Sequence, residues 1–214
     1  MPFSVMTVGY EVAKPILNVL GIAASVYIVI KDYRSVNKKE FLKIIAVMAV
    51  GITAGFFLKN LIGTEGTLLY RILGVIVILF AIINAYRFYT KKEDSKLPKS
   101  VSLGILAASG IVHGMFVCGG PLLVTYLGGI IKDKTEFRAT VSAVWIVLNS
   151  LIMITDITEG YFDLHLIYML LISLAVLAAA MAVGNLIYKK MSKSVFLQLT
   201  YLLMLISGVS LLLK

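Results

Sequence analysis

Residues 109–140 read SGIVHGMFVCGGPLLVTYLGGIIKDKTEFRAT. The stretch begins as an apolar helical pattern in which Gly110 and Gly114 lie one turn apart. The pattern breaks at Gly119-Gly120-Pro121 and resumes over residues 122–131. A break at membrane depth frees backbone N–H and C=O groups that lipid cannot bind, so it is tolerated only where the backbone is buried in protein or lines a wet cavity. The break is therefore the first candidate for a functional site.

The composition indicates a polytopic membrane protein. Of 214 residues, 60% are hydrophobic and 14% are charged, and the mean hydropathy is +0.97. A soluble domain has no use for that much apolar surface. The net charge of +9 comes from basic residues that flank apolar runs, so it indicates membrane topology rather than a nucleic-acid partner. The single cysteine, Cys118, excludes an intrachain disulfide.

Apolar runs long enough to cross a bilayer, which takes roughly 17–25 residues, predict about six full spans. They cover residues 12–30, 41–58, 68–86, 139–155, 164–188 and 195–213. The broken segment, 101–131, lies between the third and the fourth. The predicted fold is all-α, in a single domain over residues 1–214. A truncated first half covers 1–90, and a second half covers 100–214.

The basic residues decide between two topologies of the broken segment. Lys and Arg are concentrated in three loops that the positive-inside rule places in the cytoplasm, namely 31–43, 87–99 and 188–194. If the segment crosses fully, giving seven spans, the third loop and the basic residues after the segment lie outside. If it is a re-entrant hairpin, nearly all basic residues lie inside. The charge asymmetry therefore favours the hairpin.

The hairpin places the first three spans and the last three in opposite orientations. Gly55-Phe-Phe-Leu-Lys-Asn, near the end of the second span, matches Gly184-Asn-Leu-Ile-Tyr-Lys near the end of the fifth. Inverted repeats are typical of secondary transporters, whose substrate site lies at the repeat interface. The first triplet has no Gly-Gly-Pro segment before it. We expect that counterpart to belong before Met1, lost in evolution or left out by a misplaced start codon.

The break itself has the features of an anion site. A half-helix that begins at Gly119-Gly120-Pro121 presents free N–H groups and a positive dipole end, glycine admits a ligand close to the backbone, and proline fits the first turn. The alternative is a kink in a packed helix. His113 could bind an anion or carry a proton, or it could be satisfied by a neighbouring helix. Cys118 is a further binding candidate, or a small apolar filler.

Further candidates lie in the span after the break. Asn149 is in mid-span, where substrate contact and an interhelical hydrogen bond are equally compatible with its position. Arg138 opens the span where a cytoplasmic anion would meet it first, and ordinary positive-inside anchoring is the alternative. Trp145, the only tryptophan, is expected to pack rather than bind. In the first span, Lys14-Pro15 and Asn18 form a loose counterpart of the surroundings of Arg138.

The sequence contains no recognisable arrangement of catalytic residues. His113 and His165 are far apart, and neither has a paired carboxylate or metal-ligand spacing beside it. A phosphate-binding glycine loop is absent, so direct ATP drive is not indicated. Asp156, Glu159 and Asp163 are expected to form a solvated outer loop. We predict no catalytic residue, no metal and no cofactor.

Two segments resemble the second-half motif of the TauE/SafE sulfite-exporter family of membrane permeases. They are residues 113–127, HGMFVCGGPLLVTYL, and 133–149, DKTEFRATVSAVWIVLN. The most specific pieces are Gly119-Gly120-Pro121 and Phe137-Arg138-Ala139-Thr140, and the later spans also fit. The first glycine-rich helix of the family is absent here. The resemblance implies transport of small sulfur-containing anions such as sulfite or sulfonates, usually outward and coupled to an ion gradient.

The resulting hypothesis is a permease of the cell (plasma or inner) membrane that moves a small sulfur-containing anion by ion-coupled alternating access, with H⁺ as the coupling ion. Its predicted substrate-binding residues are Gly119, Gly120, Pro121, His113, Cys118, Arg138 and Asn149. Two alternatives are a non-transporting membrane subunit and a permease for a different small anion. A homo-oligomer is compatible with each of them.

Overall fold

The computed structural model describes residues 8–62, 67–90, 98–117 and 119–213, and these residues form a series of helices. In chain order they are α1 (Tyr10–Asp32), α2 (Lys38–Ile62), α3 (Thr67–Tyr89), α4 (Lys99–Phe116), α5 (Gly120–Gly128), α6 (Lys134–Thr158), α7 (Leu164–Lys190) and α8 (Lys193–Leu212). In the described part of the chain, α1, α2, α4, α6 and α7 are long and apolar enough to cross a membrane. Shorter apolar stretches lie in α3 and α8, at Gly74–Tyr89 and Ser194–Ser210. The predicted all-α polytopic fold is confirmed.

Short polar residues fix where the last three helices begin. The Asp133 side chain accepts hydrogen bonds from the Thr135 and Glu136 N–H groups at 2.9 and 2.8 Å, which caps α6. Asp163 caps α7 and Ser192 caps α8 in the same way. Such residues satisfy N–H groups that the first turn leaves without a helical partner.

The broken segment is a helical hairpin, formed by α4 and α5. Helix α4 ends at Phe116, and α5 begins at Gly120 with Pro121 in its first turn. Lys99 at the start of α4 and Ile130 just beyond α5 line one common cavity. The chain therefore returns to the side from which it entered, as the charge count predicts.

Glycines bring α2 and α4 into backbone contact. A Cβ on Gly51 would lie 2.9 Å from the Gly110 Cα, and a Cβ on Gly55 would overlap the Ile111 carbonyl. Met48 lies beside Gly110 and Ile52 beside Gly114, so the two helices run parallel. This is the small-residue packing that membrane helices use where lipid removes the hydrophobic drive for association.

The two triplets, α1–α3 and α6–α8, have opposite orientations. Lys14 near the start of α1 pairs with Asp156 near the end of α6. Asn37 lies beyond the end of α1, and its N–H donates to the Thr140 hydroxyl near the start of α6, at 2.9 Å. Helices α3 and α8 are also antiparallel, since the Gly74 end of α3 packs against Gly208 near the end of α8.

The main buried core joins α2, the hairpin and α6, through residues such as Met48, Leu106, Leu123 and Leu148. Helix α7 differs, because Leu166 is the one fully buried residue along its whole length. Its outward side chains form a surface that lipid can cover. The fold thus places α1 and α6 beside the hairpin tip, where the candidate site lies.

Candidate functional site

A cavity of about 470 Å³ lies between α1, α6 and the tip of the hairpin. Three elements line it: α1 with Leu17, Gly21, Ala24, Ser25 and Ile28; the hairpin tip with His113, Val117, Gly120 and Pro121; and α6 with Ser142, Trp145 and Asn149. Four of the predicted binding residues are therefore brought together, namely His113, Gly120, Pro121 and Asn149. Their role in binding stays a prediction.

His113 connects the hairpin tip to α6. The Gly119 N–H donates to its Nδ1 at 3.4 Å, and its Nε2 lies 3.1 Å from the Asn149 Oδ1. Because Nδ1 accepts a hydrogen bond, the ring carries its proton on Nε2 and donates to Asn149. The imidazole also lies against Trp145, with ring centres 4.7 Å apart. The neutral imidazole thus makes two hydrogen bonds in the cavity wall, one to the hairpin tip and one to α6.

Asn149 is oriented by this bond. Since its Oδ1 accepts from His113, its Nδ2 amide is directed away from the ring and lies above Gly21, where an added Cβ would sit 3.0 Å from it. The absence of a side chain at Gly21 leaves the space that the amide occupies. The result is an N–H donor fixed at the wall of the cavity.

The two glycines of the break have different roles. A Cβ on Gly119 would overlap the Ser109 carbonyl and lie 2.8 Å from the His113 Cβ, so this glycine is needed for contact with α4. The Ser109 hydroxyl donates to the Gly119 carbonyl at 2.8 Å. Gly120 instead borders the cavity, where the nearest atom to an added Cβ is Trp145 Cζ2 at 3.8 Å. Only Gly120 leaves its backbone open to a ligand.

The backbone at the break is strained. Val117 has φ 53°, a left-handed conformation, and its N–H donates to the His113 carbonyl at 2.7 Å. For a β-branched residue this conformation costs of order 1–3 kcal/mol and persists only where the surroundings hold it. The strain turns the chain so that α5 begins at the cavity. Gly120 and Pro121, the first two residues of α5, line the cavity, so the positive end of the α5 dipole lies at its wall.

The cavity wall is mostly apolar and carries a few neutral polar groups. Among the described residues that line it, none is Lys, Arg, Asp or Glu. The hydrogen-bonding groups are the Asn149 amide, the hydroxyls of Ser25 and Ser142, and the backbone at Gly120. A site built from neutral donors and a helix N-terminus suits a small anion.

Arg138, a predicted binding residue, lies elsewhere. Its guanidinium stacks on the Tyr188 ring of α7, with Cζ 4.3 Å from the ring centre. Lys134 contacts the same ring and donates to the Tyr188 and Met191 carbonyls at 3.3 and 2.9 Å. These contacts join the start of α6 to the end of α7. Cys118, the remaining predicted residue, lies outside the described residues.

Charged residues lie just beyond one end of the cavity, at the start of α1 and the end of α6. Asp156, expected in a solvated loop, is fully buried and forms an ion pair with the buried Lys14. That expectation was wrong, because α6 continues through Asp156 to Thr158 and carries the carboxylate against α1. Glu159 is 46% exposed. One turn further along α1, the Asn18 amide donates to the Asn149 carbonyl at 3.0 Å.

The sequence interpretation also missed part of the wall. Gly21 and Ser25 on α1 and Ser142 on α6 were not singled out, and Trp145 was expected to pack. The tryptophan packs on His113 and also lines the cavity. The signal in α1 was a small residue followed four positions later by a small polar one, which places both on one helix face. In the described part of the chain, no group of three His, Cys, Asp or Glu could hold a metal ion.

One of three comparisons with known proteins found a match. A search of curated proteins and a search of solved structures each found no match. The model of one protein family, described as sulfite exporter TauE/SafE, matches residues 1–211. That match spans both triplets and the hairpin between them. The chain is a multi-pass membrane protein that belongs to the TauE/SafE sulfite exporter family.

Proposed function

We propose that this protein is a permease of the cell membrane that carries small sulfur-containing oxyanions, sulfite first among them, through the cavity at the hairpin tip. Transport would proceed by alternating access of that cavity, coupled to H⁺. The observation that carries the proposal is the cavity between two oppositely oriented triplets, walled by neutral hydrogen-bond donors and the N-terminus of α5. Secondary transporters place their substrate site at such a midplane interface.

The size of the cavity suits a small hydrated anion. Its volume of about 470 Å³ exceeds that of one oxyanion, since a water molecule in the liquid occupies roughly 30 Å³. Several waters can therefore accompany the anion. Neutral donors bind it without the strength of a buried lysine or arginine, which favours release on the other side of the membrane.

Charge on the cytoplasmic side would supply anions to the protein. A second cavity, of about 620 Å³, is lined by Lys39, Lys43 and Lys99 near the starts of α2 and α4, together with one carboxylate, Glu40. Basic residues therefore exceed acidic ones in its lining. The positive-inside rule assigns this face to the cytoplasm. Cations clustered at a concave surface raise the local concentration of anions, and this supports access from the cytoplasmic side.

The single tryptophan permits a direct binding test. Trp145 lines the cavity and lies against His113, so an anion near Gly120 changes its fluorescence. Purified protein in detergent would be titrated anaerobically with sulfite, and in parallel with thiosulfate, sulfate and methanesulfonate. We expect a saturable change with sulfite. The series then ranks the sulfur anions without a coupled assay.

The matched control is Gly120→Leu, which fills the space above the break. We expect this variant to insert and elute as the parent does, and to lose the saturable response. A response of equal affinity in Gly120→Leu would place the anion elsewhere. The absence of a response to every sulfur anion in the parent protein would reject the proposed substrate class.

A further inference from the structure

Beyond the outer end of the cavity, at the start of α1 and the end of α6, lies a buried ion pair that anion binding does not use. Lys14 near the start of α1 and Asp156 in the last turn of α6 are 1% and 0% exposed, and Nζ of the lysine pairs with Oδ1 of the aspartate. Ionisable side chains inside a membrane protein are costly and are functional candidates by default. Leu17, one turn from Lys14, and Asn149, two turns before Asp156, both line the cavity. The pair therefore lies directly beyond its outer end.

The other ionisable groups around the pair lie nearer the surface. The Glu159 carboxylate is 3.7 Å from Lys14 Nζ but is 46% exposed. The Tyr161 ring centre lies 5.4 Å from the same Nζ, and this ring is partly exposed. Three further groups on the neighbouring ends of α1 and α7 are exposed, namely Glu11, Asp163 and His165. Asp156 is thus the carboxylate that the protein encloses together with the lysine.

The same two helices are joined again one turn deeper. The Asn18 Nδ2 donates to the Asn149 carbonyl at 3.0 Å, between the ion pair and the cavity. Asn149 in turn accepts from His113 at the hairpin tip. Parting α1 from α6 at the outer end would therefore separate the charges first and then reach the binding residues.

We propose that Asp156 is the proton-binding site of the transporter and that its ion pair with Lys14 closes the outer end of the cavity. The inference rests on the proposed function, since it assigns the coupling ion to a residue beside the same cavity. With the pair formed, the outer ends of α1 and α6 are held together. Opening requires the two charges to separate, which is unfavourable while the protein still excludes water.

Protonation lowers that barrier. One proton adds to the Asp156 carboxylate and gives a neutral carboxylic acid, with no other bond changed. The attraction to Lys14 then weakens, and the counter-charge that remains beside the ammonium is the Glu159 carboxylate, 3.7 Å away and 46% exposed. The positive charge of Lys14 is therefore less fully compensated than before. A cation at that position attracts an anion. Proton uptake and opening of the cavity to the outside are in this way linked through one residue.

Thiol labelling tests the closure without any transport. Cys118→Ala removes the only native thiol, and Ser25→Cys places a reporter in the cavity wall. Right-side-out vesicles would be treated with a membrane-impermeant methanethiosulfonate at neutral and at mildly acidic external pH. The protein with Cys118→Ala and Ser25→Cys is the reporter parent, and it is compared with the same protein that also has Asp156→Asn. The ratio of their labelling rates removes the pH dependence of the thiol itself.

Asp156→Asn mimics the protonated, uncharged side chain, so we expect labelling about tenfold or more faster than in the reporter parent at neutral pH. At acidic pH the two rates should converge. Glu159→Gln is the matched control, since it removes a carboxylate near Lys14 that is not buried, and it should follow the parent. If Asp156→Asn removes the buried partner of Lys14 and the protein fails to fold, the double variant Lys14→Met with Asp156→Leu replaces it. The labelling rate of the double variant should not follow the parent's pH profile.

Equal rates and equal pH profiles for the parent and the Asp156 variants would overturn the proposal. So would a pH response abolished by Glu159→Gln. Labelling requires no anion, so the outcome is independent of substrate identity. A pH-controlled closure together with the absence of sulfite binding would reject the proposed function and leave the assignment of Asp156 intact.

Discussion

Two polar clusters lie along α1 and α6, at different depths and with different chemistry. The central cluster, formed by His113, Asn149 and Ser142 at the cavity, contains hydrogen-bonding groups and no charged side chain. The outer pair, Lys14 and Asp156, consists of opposite charges that compensate each other. Helices that a membrane surrounds tolerate both solutions, because each satisfies its polar groups within the protein. On the two proposals made above, the neutral cluster binds the anion reversibly and the charged pair closes the cavity.

The largest effect is expected from making the central cluster charged. Asn149→Asp places a carboxylate at the cavity wall, where it repels an anion by about 4 kcal/mol at 4 Å with an effective dielectric constant near 20. Sulfite affinity should fall at least a hundredfold in the Trp145 fluorescence titration. Asn149→Ser, which stays neutral, is the control and should lose much less. Similar losses in the two variants would show that charge at the cluster is not what matters.

The position of the hairpin tip is the next point to test. Gly119→Ala adds a Cβ that overlaps the Ser109 carbonyl. Overpacking of this kind costs about 1–3 kcal/mol, so the thermal midpoint of the purified protein should fall. Gly120→Ala has the nearest atom at 3.8 Å and should melt with the parent. Equal melting of both variants would mean that the tip does not depend on close contact with α4.

A smaller effect should follow from removing His113, whose hydrogen bond orients the Asn149 amide. His113→Ala deletes the hydrogen bonds to Gly119 and Asn149, each with a net value of about 0.5–1.5 kcal/mol. Sulfite affinity should fall roughly tenfold for about 1.4 kcal/mol lost. His113→Gln, which can keep one of the two bonds, should lose less. An affinity unchanged in His113→Ala would remove the histidine from the central cluster.

The smallest effect is expected at Arg138. Its guanidinium stacks on Tyr188 at 4.3 Å and does not line the cavity. Arg138→Gln should change sulfite affinity by less than about twofold, since the guanidinium is held on the Tyr188 ring and does not take part in the cavity wall. Its thermal midpoint is the matched readout, because the contact with α7 is lost. A large loss of affinity would show that Arg138 contributes to anion binding. The binding site would then not consist of neutral groups alone.

Much of the fold was predictable because membrane topology depends on local signals. Apolar length identifies spans, and the distribution of Lys and Arg favours a hairpin over a full crossing. Both signals require no knowledge of which helix faces which. The hairpin at Gly119-Gly120-Pro121 and the opposite orientation of the triplets were therefore available from the chain alone, and the structure agrees with them.

The site was predictable in part, for a physical reason. Residues around the break are near one another in sequence, so His113, Gly120 and Pro121 were found together. The contribution of α1 depends on the rotation of that helix against α6, which no local pattern records. The pairing of Lys14 with Asp156 was missed for this reason, and Arg138 was given a role because its distance from the cavity was not evident. The distinction between Gly119 and Gly120 likewise depends on contacts with α4.

The central claim is that a small sulfur oxyanion crosses the membrane through the cavity at the hairpin tip. The most direct measurement is sulfite flux in proteoliposomes with an imposed pH gradient, comparing the parent protein with Gly120→Leu at equal reconstituted amounts. We predict saturable flux that responds to the gradient in the parent, and background flux in the variant. Absence of flux in the parent would favour a non-transporting membrane subunit, and equal flux in both proteins would contradict the assignment of the cavity as the route.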